Sequence, residues 1–172
     1  MPKESPPHRT LFDFSEKGAD REWLTVNDGV MGGVSEGRFR IGEDGMLEFT
    51  GVLSLENNGG FASVRSREND LGLRAGDVLV ARVRGDGREY ALNLYVPGRM
   101  PAFSYRFPFE TRKDEWIDVR VPLGEFRATS FGRPVPGAAP VEAATVNSIG
   151  FLLADKNAGP FRLVVDTIRV ER

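Results

Sequence analysis

The sequence predicts an all-β protein with a jelly-roll-like β-sandwich fold, built from about nine to eleven short antiparallel strands. Apolar residues recur at every second position through most of the chain, which is the period of a strand with one buried face. The 20 glycines and 11 prolines place turn signals between these segments. No segment has the apolar period of an amphipathic helix, which the crossovers of a parallel sheet would need. A closed barrel is the alternative arrangement of the same strands.

The alternation also predicts which side chains face the core. The residues expected inside are apolar and occupy alternate positions of four segments: Ala62 and Val64; Leu79, Ala81 and Val83; Tyr90, Leu92, Leu94 and Val96; Phe103, Tyr105, Phe107 and Phe109. Between Phe161 and Val170 the apolar positions change parity. The sequence therefore predicts either a β-bulge near Asp166 or a strand that is buried on both faces.

The chain ends and turns follow from composition. Residues 1–9 are polar and rich in proline, and we expect them to form a flexible tail before one β-sandwich domain, residues 10–172. A first strand is expected from Leu11 to Phe14, and Glu43-Asp44-Gly45 predicts a hairpin turn. Residues 127–147 are rich in Gly, Pro and Ala, so the longest loop is expected there.

Composition argues against several functions. A net charge of −2 and a pI near 5.6 provide no field that would attract nucleic acid. Cysteine is absent and His8 is the single histidine, so Ser-His and Cys-His catalysis and ordinary zinc sites are not expected. Asp114 and Glu115 are neighbours that face different ways on a strand, unlike a glycosidase pair. We predict a protein that is not an enzyme and that needs no cofactor, since no dinucleotide-binding fingerprint is present either.

The segment before the first strand has no apolar stretch of signal-peptide length, and no later stretch is long enough to span a membrane. We therefore expect no insertion into a membrane. The same features, with the lack of cysteine, lead to the prediction that the protein is cytoplasmic.

Two Gly-Gly pairs mark tight corners that lead into strands, because glycine adopts positive φ without steric cost. The residues of this candidate loop motif are Asn27, Asp28, Gly32, Gly33, Ser35, Glu56, Asn57, Asn58, Gly59 and Gly60. Their Asn and Asp side chains are expected to hydrogen-bond their own backbone and set the turns. Contact with a partner is one alternative, and calcium binding is another, although EF-hand spacing is lacking.

A second candidate site lies on the outward positions of the middle strands. Its residues are polar, cationic or aromatic: Phe61, Arg65, Arg82, Asn93, Tyr95 and Arg106. If those strands are neighbours, these side chains form one polar-aromatic sheet face of the kind that binds partners. A solvated face held by salt bridges is the alternative interpretation.

Trp23 and Trp116 each lie next to alternating apolar residues. We expect both to pack in the core, where large aromatic side chains are common in sandwiches. Stacking against a sugar is the alternative role for each.

The residues around the glycine pairs also carry a family resemblance. Trp23, Asn27-Asp28-Gly29-Val30-Met31-Gly32-Gly33-Val34-Ser35, Phe49-Thr50-Gly51 and Leu53 to Arg65 resemble the complex I intermediate-associated protein 30 family. The similarity continues through Trp116, Val121-Pro122-Leu123, Ile149-Gly150-Phe151 and Phe161-Arg162-Leu163, and so extends from Leu11 to Glu171.

The resemblance implies a galactose-binding-like β-sandwich, an architecture shared with carbohydrate-binding modules. Family members in mitochondria act as assembly factors that bind intermediates of respiratory complex I. The chain departs from that setting because it has no Arg-rich, Ser-rich transit peptide. We predict a non-enzymatic, chaperone-like accessory domain whose partner is a protein, such as a subunit or intermediate of a respiratory complex. A glycan-binding module is the alternative.

Overall fold

The computed structural model describes residues 8–27, 35–56, 60–98 and 102–172. These residues form thirteen β-strands in two antiparallel sheets. Three short 3-10 segments are also present, at Ala19–Glu22, Leu123–Glu125 and Ala143–Thr145, and the described ranges contain no α-helix. The predicted all-β sandwich is confirmed, with more strands than expected.

Sheet 1 contains the chain termini. Its strands are β1 (His8–Asp13), β3 (Glu36–Ile41), β4 (Leu47–Leu53), β6 (Val78–Arg84), β9 (Trp116–Pro122) and β13 (Gly159–Glu171). The order is β3-β4-β13-β6-β9, and β1 also pairs with β13.

Sheet 2 faces it. Its strands are β2 (Trp23–Asn27), β5 (Ala62–Ser66), β7 (Glu89–Tyr95), β8 (Phe103–Glu110), β10 (Arg127–Ser130), β11 (Arg133–Pro134) and β12 (Ser148–Leu153). The order is β11-β10-β8-β7-β12-β5-β2. Consecutive strands often join different sheets, as the jelly-roll prediction requires.

One hydrophobic cluster fills the space between the sheets. The alternating residues predicted to face inward belong to it or pack against it, which confirms the assignment of faces from sequence parity. Trp23 is only 2% exposed and packs edge-on against Phe12, with ring centroids 5.0 Å apart. Since each strand gives one set of alternate residues to this cluster, the other set lies on the outer face of its sheet.

Strand β13 contains the predicted bulge. Val165 is paired with Val83 and Thr167 with Arg82, so Asp166 is the extra residue between two registers. The bulge shifts the parity of the strand and keeps both Val165 and Ile168 in the core.

The strand assignments need two corrections. β1 begins at His8, two residues before the expected domain start, because the backbone pairs with β13 and Arg9 donates to the Leu71 carbonyl at 2.6 Å. The expected loop at residues 127–147 contains the β10–β11 hairpin, and only residues 135–147 lack strands. The Glu43-Asp44-Gly45 turn is confirmed, with φ of 73° at Gly45.

A buried ion pair ties the β12–β13 connection to the start of β7. Arg88 donates to both Asp155 oxygens at 2.8 and 2.7 Å, to the Asn157 carbonyl in the connection, and to the carbonyls of Gly159 and Pro160 at the start of β13. Burial disfavours the Asp155 carboxylate, but hydrogen bonds from Arg88 and Asn157 outweigh this effect and lower the pKa of Asp155. The arginine therefore fixes a loop that has no strand of its own.

Candidate functional site

Four of the residues predicted for the polar-aromatic face lie together on the outer face of sheet 2. Arg65 is on β5, Asn93 and Tyr95 are on β7, and Arg106 is on β8. The strand registers align a row across four neighbouring strands, in the order Arg106, Asn93, Gly150 and Arg65. We call Arg65, Asn93, Tyr95, Arg106 and Gly150 the arginine face.

The two other predicted residues lie elsewhere. Phe61 directly precedes β5, shares the parity of Arg65 and is half-buried. Arg82 is on β6 in sheet 1, so its assignment to the same face is wrong. Arg82 is 3.5 Å from Asp118 and 3.8 Å from Asp166. Parity gave the correct outward direction for Arg82 but contained no information about which sheet its strand joins.

Gly150 creates the floor of the arginine face. A Cβ atom at this position would lie 2.5 Å from the Val64 carbonyl oxygen and 2.9 Å from Arg65 Cβ. Arg65 reaches from β5 across β12 to Tyr95 on β7, and its guanidinium carbon is 4.2 Å from the tyrosine ring centroid. The absence of a side chain on β12 therefore lets the guanidinium lie along the sheet.

Hydrogen bonds hold Arg65 in this position. Its Nη2 donates to Ser63 Oγ at 3.2 Å, and Ser63 Oγ donates to the Val26 carbonyl at 2.6 Å. Asn93 is 2% exposed and donates from Nδ2 to the Tyr95 hydroxyl at 3.2 Å. The arginine and the tyrosine are thus positioned by the sheet, and a ligand would find them ordered in advance.

Three polar atoms of the arginine face are buried without a hydrogen-bond partner. They are Arg65 Nε, Asn93 Oδ1 and Arg106 Nε. Burial lowers the pKa of Arg106, although an electrostatic interaction with Tyr95 opposes this shift. Neither arginine forms an ion pair with a described acidic side chain. A buried donor without an acceptor is unusual in a folded protein.

The outer face of sheet 1 is organised differently. Five of its arginines pair with carboxylates: Arg40 and Arg162 with Glu48, Arg82 with Asp118 and Asp166, and Arg120 and Arg169 with Glu171. The solvated, salt-bridged interpretation therefore fits sheet 1. It does not describe the arginine face, where the positive charges are uncompensated within the described residues.

The described members of the loop motif have structural contacts. Asn27 Nδ2 donates to the Gly37 carbonyl at 3.0 Å, and Ser35 Oγ donates to the Ser54 carbonyl at 3.0 Å. Glu56 is exposed, and Gly60 has φ of 132°, which confirms positive φ in the second glycine pair. The remaining members of the motif lie outside the described residues: Asp28, Gly32, Gly33, Asn57, Asn58 and Gly59.

The two tryptophans have different environments. Trp23 is in the core, as predicted. Trp116 is half-buried on the outer face of sheet 1, with the guanidinium carbons of Arg82 and Arg84 at 5.2 and 5.1 Å from its ring centroids. The core prediction for Trp116 is wrong because Val119 and Val121 occupy the inward parity of β9. The Trp23 ring is therefore inaccessible to a sugar, and the Trp116 ring already contacts two arginines.

Sequence reasoning missed the turn of the β10–β11 hairpin. Phe131 is 56% exposed and has φ of 50°, a left-handed conformation that is rare for a bulky residue. The next residue, Gly132, lies against the arginine face, since a Cβ atom there would be 3.4 Å from Arg106 Nη1. A Phe-Gly pair between polar residues was the available signal of this turn.

Other site types find little support in the described ranges. They contain no group of three His, Asp or Glu side chains placed to hold a metal ion. No helix in them has the length and apolar character needed to cross a lipid bilayer. An open cleft of about 690 Å³ lies between residues 14–20 and 39–45, and no residue of the arginine face lines it.

Comparison with known sequences decides the family. The profile of the complex I intermediate-associated protein 30 family matches residues 12–165. The chain belongs to this family. The resemblance carried by the glycine pairs is confirmed.

Relatives of the chain carry the same family name. Complex I intermediate-associated protein 30, mitochondrial, of Mus musculus is 29% identical in an alignment of 183 positions that covers 94% of this chain and 56% of the relative. The Drosophila melanogaster protein of that name is 26% identical, over 94% of this chain and 62% of the relative. A probable Caenorhabditis elegans member is 30% identical, over 92% of this chain and 52% of the relative. The chain thus spans about half to three fifths of the length of these relatives.

The relatives correct the predicted location. All three are named as mitochondrial proteins, so the cytoplasmic prediction is wrong. The lack of a signal-peptide stretch, of a membrane span and of cysteine led to that prediction, but these features are compatible with more than one reducing compartment.

Solved structures show the fold. The family 11 carbohydrate-binding module of the cellulase Lic26A-Cel5E of Clostridium thermocellum superposes with a TM-score of 0.66, at 15% identity, over 98% of this chain and 96% of the module. A family 29 carbohydrate-binding module superposes with a TM-score of 0.52, at 12% identity, over 96% of this chain and 91% of the module. At such identities the likeness confirms the jelly-roll-like β-sandwich fold and carries no information about ligands.

Proposed function

We propose that the chain is a non-enzymatic accessory domain that binds an assembly intermediate of respiratory complex I through the arginine face. The observation that carries this proposal is the contrast between the two outer faces. Five arginines of sheet 1 pair with carboxylates, whereas Arg65 and Arg106 on sheet 2 have no such pair and have buried nitrogen atoms without acceptors. The names of the relatives support complex I intermediates as the partner.

The arginine face has the properties of a recognition surface. Arginine and tyrosine are enriched among the residues that dominate binding energy, because they combine a large contact area with polar groups. Here the backbone of a sheet and the contacts of Arg65 with Tyr95 and Ser63 hold the side chains in place before binding. Little conformational entropy is then lost when a partner docks.

The glycan-binding alternative is less consistent with this surface. Sugars stack on accessible aromatic rings, but one side of the Tyr95 ring is covered by the Arg65 guanidinium at 4.2 Å. Trp116 lies on the opposite sheet and Trp23 is buried. The fold that the chain shares with carbohydrate-binding modules is the argument that remains for a glycan, and fold alone does not specify a ligand.

The test is a pull-down from the host with a matched control. The face variant carries Arg65→Met and Arg106→Met, and the control variant carries Arg40→Met and Arg162→Met on sheet 1. Both variants lose two positive charges, but only the control arginines are paired with a carboxylate. Partners captured by the tagged proteins are identified by mass spectrometry, and the melting temperature of each variant is measured.

We expect complex I subunits or intermediates with the wild type and with the control variant, and their loss with the face variant. Both variants should melt within a few degrees of the wild type. In the face variant, the gain expected from Arg106→Met and the loss expected from Arg65→Met are each about 1 kcal/mol and offset each other. In the control, each exposed ion pair contributes about 0–1 kcal/mol. Retention of the same partners by a folded face variant would overturn the proposed site. Recovery of no respiratory-chain component by the wild type would overturn the proposed partner.

A further inference from the structure

The chemistry of the arginine face specifies its ligand further. We propose that this face binds an acidic segment of a partner protein, with a side-chain carboxylate seated between Arg65 and Arg106 over Asn93 and Gly150. The inference rests on the proposed function, because it assumes a protein partner at the arginine face. It adds the chemical class of the group that the partner presents.

Strand register places both arginines on one sheet face, with Asn93 and Gly150 between them. Arg65 and Arg106 start three strands apart, which is roughly 14 Å at the usual strand spacing. The Arg65 side chain crosses β12 and its guanidinium reaches Tyr95 on β7, which is the neighbour of the strand that bears Arg106. The two arginines therefore lie on either side of Asn93 in the row.

The unpaired atoms define what is missing. Arg65 Nε and Arg106 Nε are donors, and both need an acceptor. A carboxylate supplies acceptor oxygens and the negative charge that two arginines need, and such charge-assisted bonds are about twice as strong as neutral ones. A sugar hydroxyl supplies no charge. The donor pair therefore selects an anion.

The third unpaired atom selects a peptide. Asn93 Oδ1 is an acceptor and needs an N–H donor. An acidic residue in an extended segment supplies a carboxylate and a backbone N–H together, whereas phosphate offers no N–H. If the Asn93 side-chain amide is flipped, its NH₂ group takes the place of the oxygen and becomes a third donor. A carboxylate would accept a hydrogen bond from that donor as well.

The surrounding residues agree with a protein segment. No described carboxylate competes for Arg65 or Arg106, so the positive charge is available although the chain as a whole has a net charge of −2. The hairpin turn with the exposed Phe131 borders Arg106 through Gly132. An apolar side chain next to the acidic residue would find Phe131 as its contact.

The experiment uses two synthetic peptides and the full chain. One ten-residue peptide alternates glutamate and leucine, and its twin has glutamine at every glutamate position. Fluorescence anisotropy gives the Kd of each peptide for the wild type, for the Arg65→Met and Arg106→Met double variant, and for the Arg40→Met and Arg162→Met control. Inorganic phosphate and a mixed-linkage β-glucan tetrasaccharide are tested as competitors.

We expect the glutamate peptide to bind the wild type and the control at least about tenfold more tightly than the glutamine twin does. The face double variant should lose that preference, and added salt should weaken the glutamate peptide most. Equal binding of the two peptides would overturn the proposal. The proposal would also be overturned if the control variant lost its preference for the glutamate peptide to the same extent. It would be overturned as well if phosphate or the tetrasaccharide displaced the peptide at a lower concentration than unlabelled peptide does.

The result is separable from that of the pull-down. If the wild type shows no preference for the glutamate peptide but the face variant still loses its complex I partners in the host, the proposed carboxylate ligand is wrong and the protein-binding function stands. If the peptides behave as expected but no respiratory-chain component is captured, the acidic ligand stands and the assembly role is wrong.

Discussion

Replacing Arg106 by methionine should stabilise the chain and weaken its binding. Methionine preserves the length of the side chain but removes the charge and the N–H groups. Arg106 Nε is buried without an acceptor, and an unpaired buried donor costs about 1–3 kcal/mol. Because the residue is only half-buried, we expect a gain near the lower end, about 1 kcal/mol. For a chain of this length, such a gain raises the melting temperature by about 2–4 °C.

Arg65→Met is the matched comparison. Arg65 also has an unpaired Nε, but it stacks on Tyr95 and donates to Ser63, so its loss removes contacts worth about 1 kcal/mol. We expect no gain in stability from this variant. Urea unfolding of both variants at constant pH measures the difference. A melting temperature that falls by more than 2 °C in Arg106→Met would refute the argument, since it would mean that Arg106 is stabilised by the protein itself.

Three further changes, and a comparison variant for the last of them, test other contacts. Arg88→Ala should cost about 3 kcal/mol of stability, because it leaves the Asp155 carboxylate buried without its partner. In the wild type this stabilisation is complete above the unfolded-state pKa of Asp155, about 3.9, and is lost as the pH falls through its lowered folded-state pKa. Acid unfolding of the wild type and the variant measures the difference. Gly150→Ala should cost about 1–3 kcal/mol, because the added methyl group meets the backbone of the neighbouring strand, and an unchanged urea midpoint would contradict this close approach. Phe131→Gly should raise stability by about 1 kcal/mol by removing left-handed strain, and should weaken partner capture. Lys156→Gly, at φ of 63° in another loop, should raise stability equally and leave capture unchanged.

Local patterns in the sequence predicted the faces of strands well. The alternation of Ala62 and Val64 with Arg65 placed the first two in the core and the third outside, because a strand turns successive side chains to opposite faces. The change of parity near Asp166 predicted the bulge for the same reason. These predictions required only the geometry of a single strand.

The assembly of the sheets was not predictable from the same patterns. Arg82 has the outward parity of Arg65, but β6 joins sheet 1, and Trp116 beside it faces outward as well. Strand partners are set by contacts between residues far apart in sequence, which one alternation pattern cannot contain. The role of Gly150 was also hidden, since its importance depends on β12 lying between β5 and β7.

Photo-crosslinking in the host tests the central claim most directly. Benzoylphenylalanine replaces Phe131 at the border of the arginine face in one protein and Trp116 on the outer face of sheet 1 in another. After irradiation, crosslinked partners are identified by mass spectrometry. The account predicts that complex I subunits or assembly intermediates are captured from position 131 and that this capture disappears when Arg65→Met and Arg106→Met are added. Capture of the same proteins from position 116 and not from position 131 would contradict it.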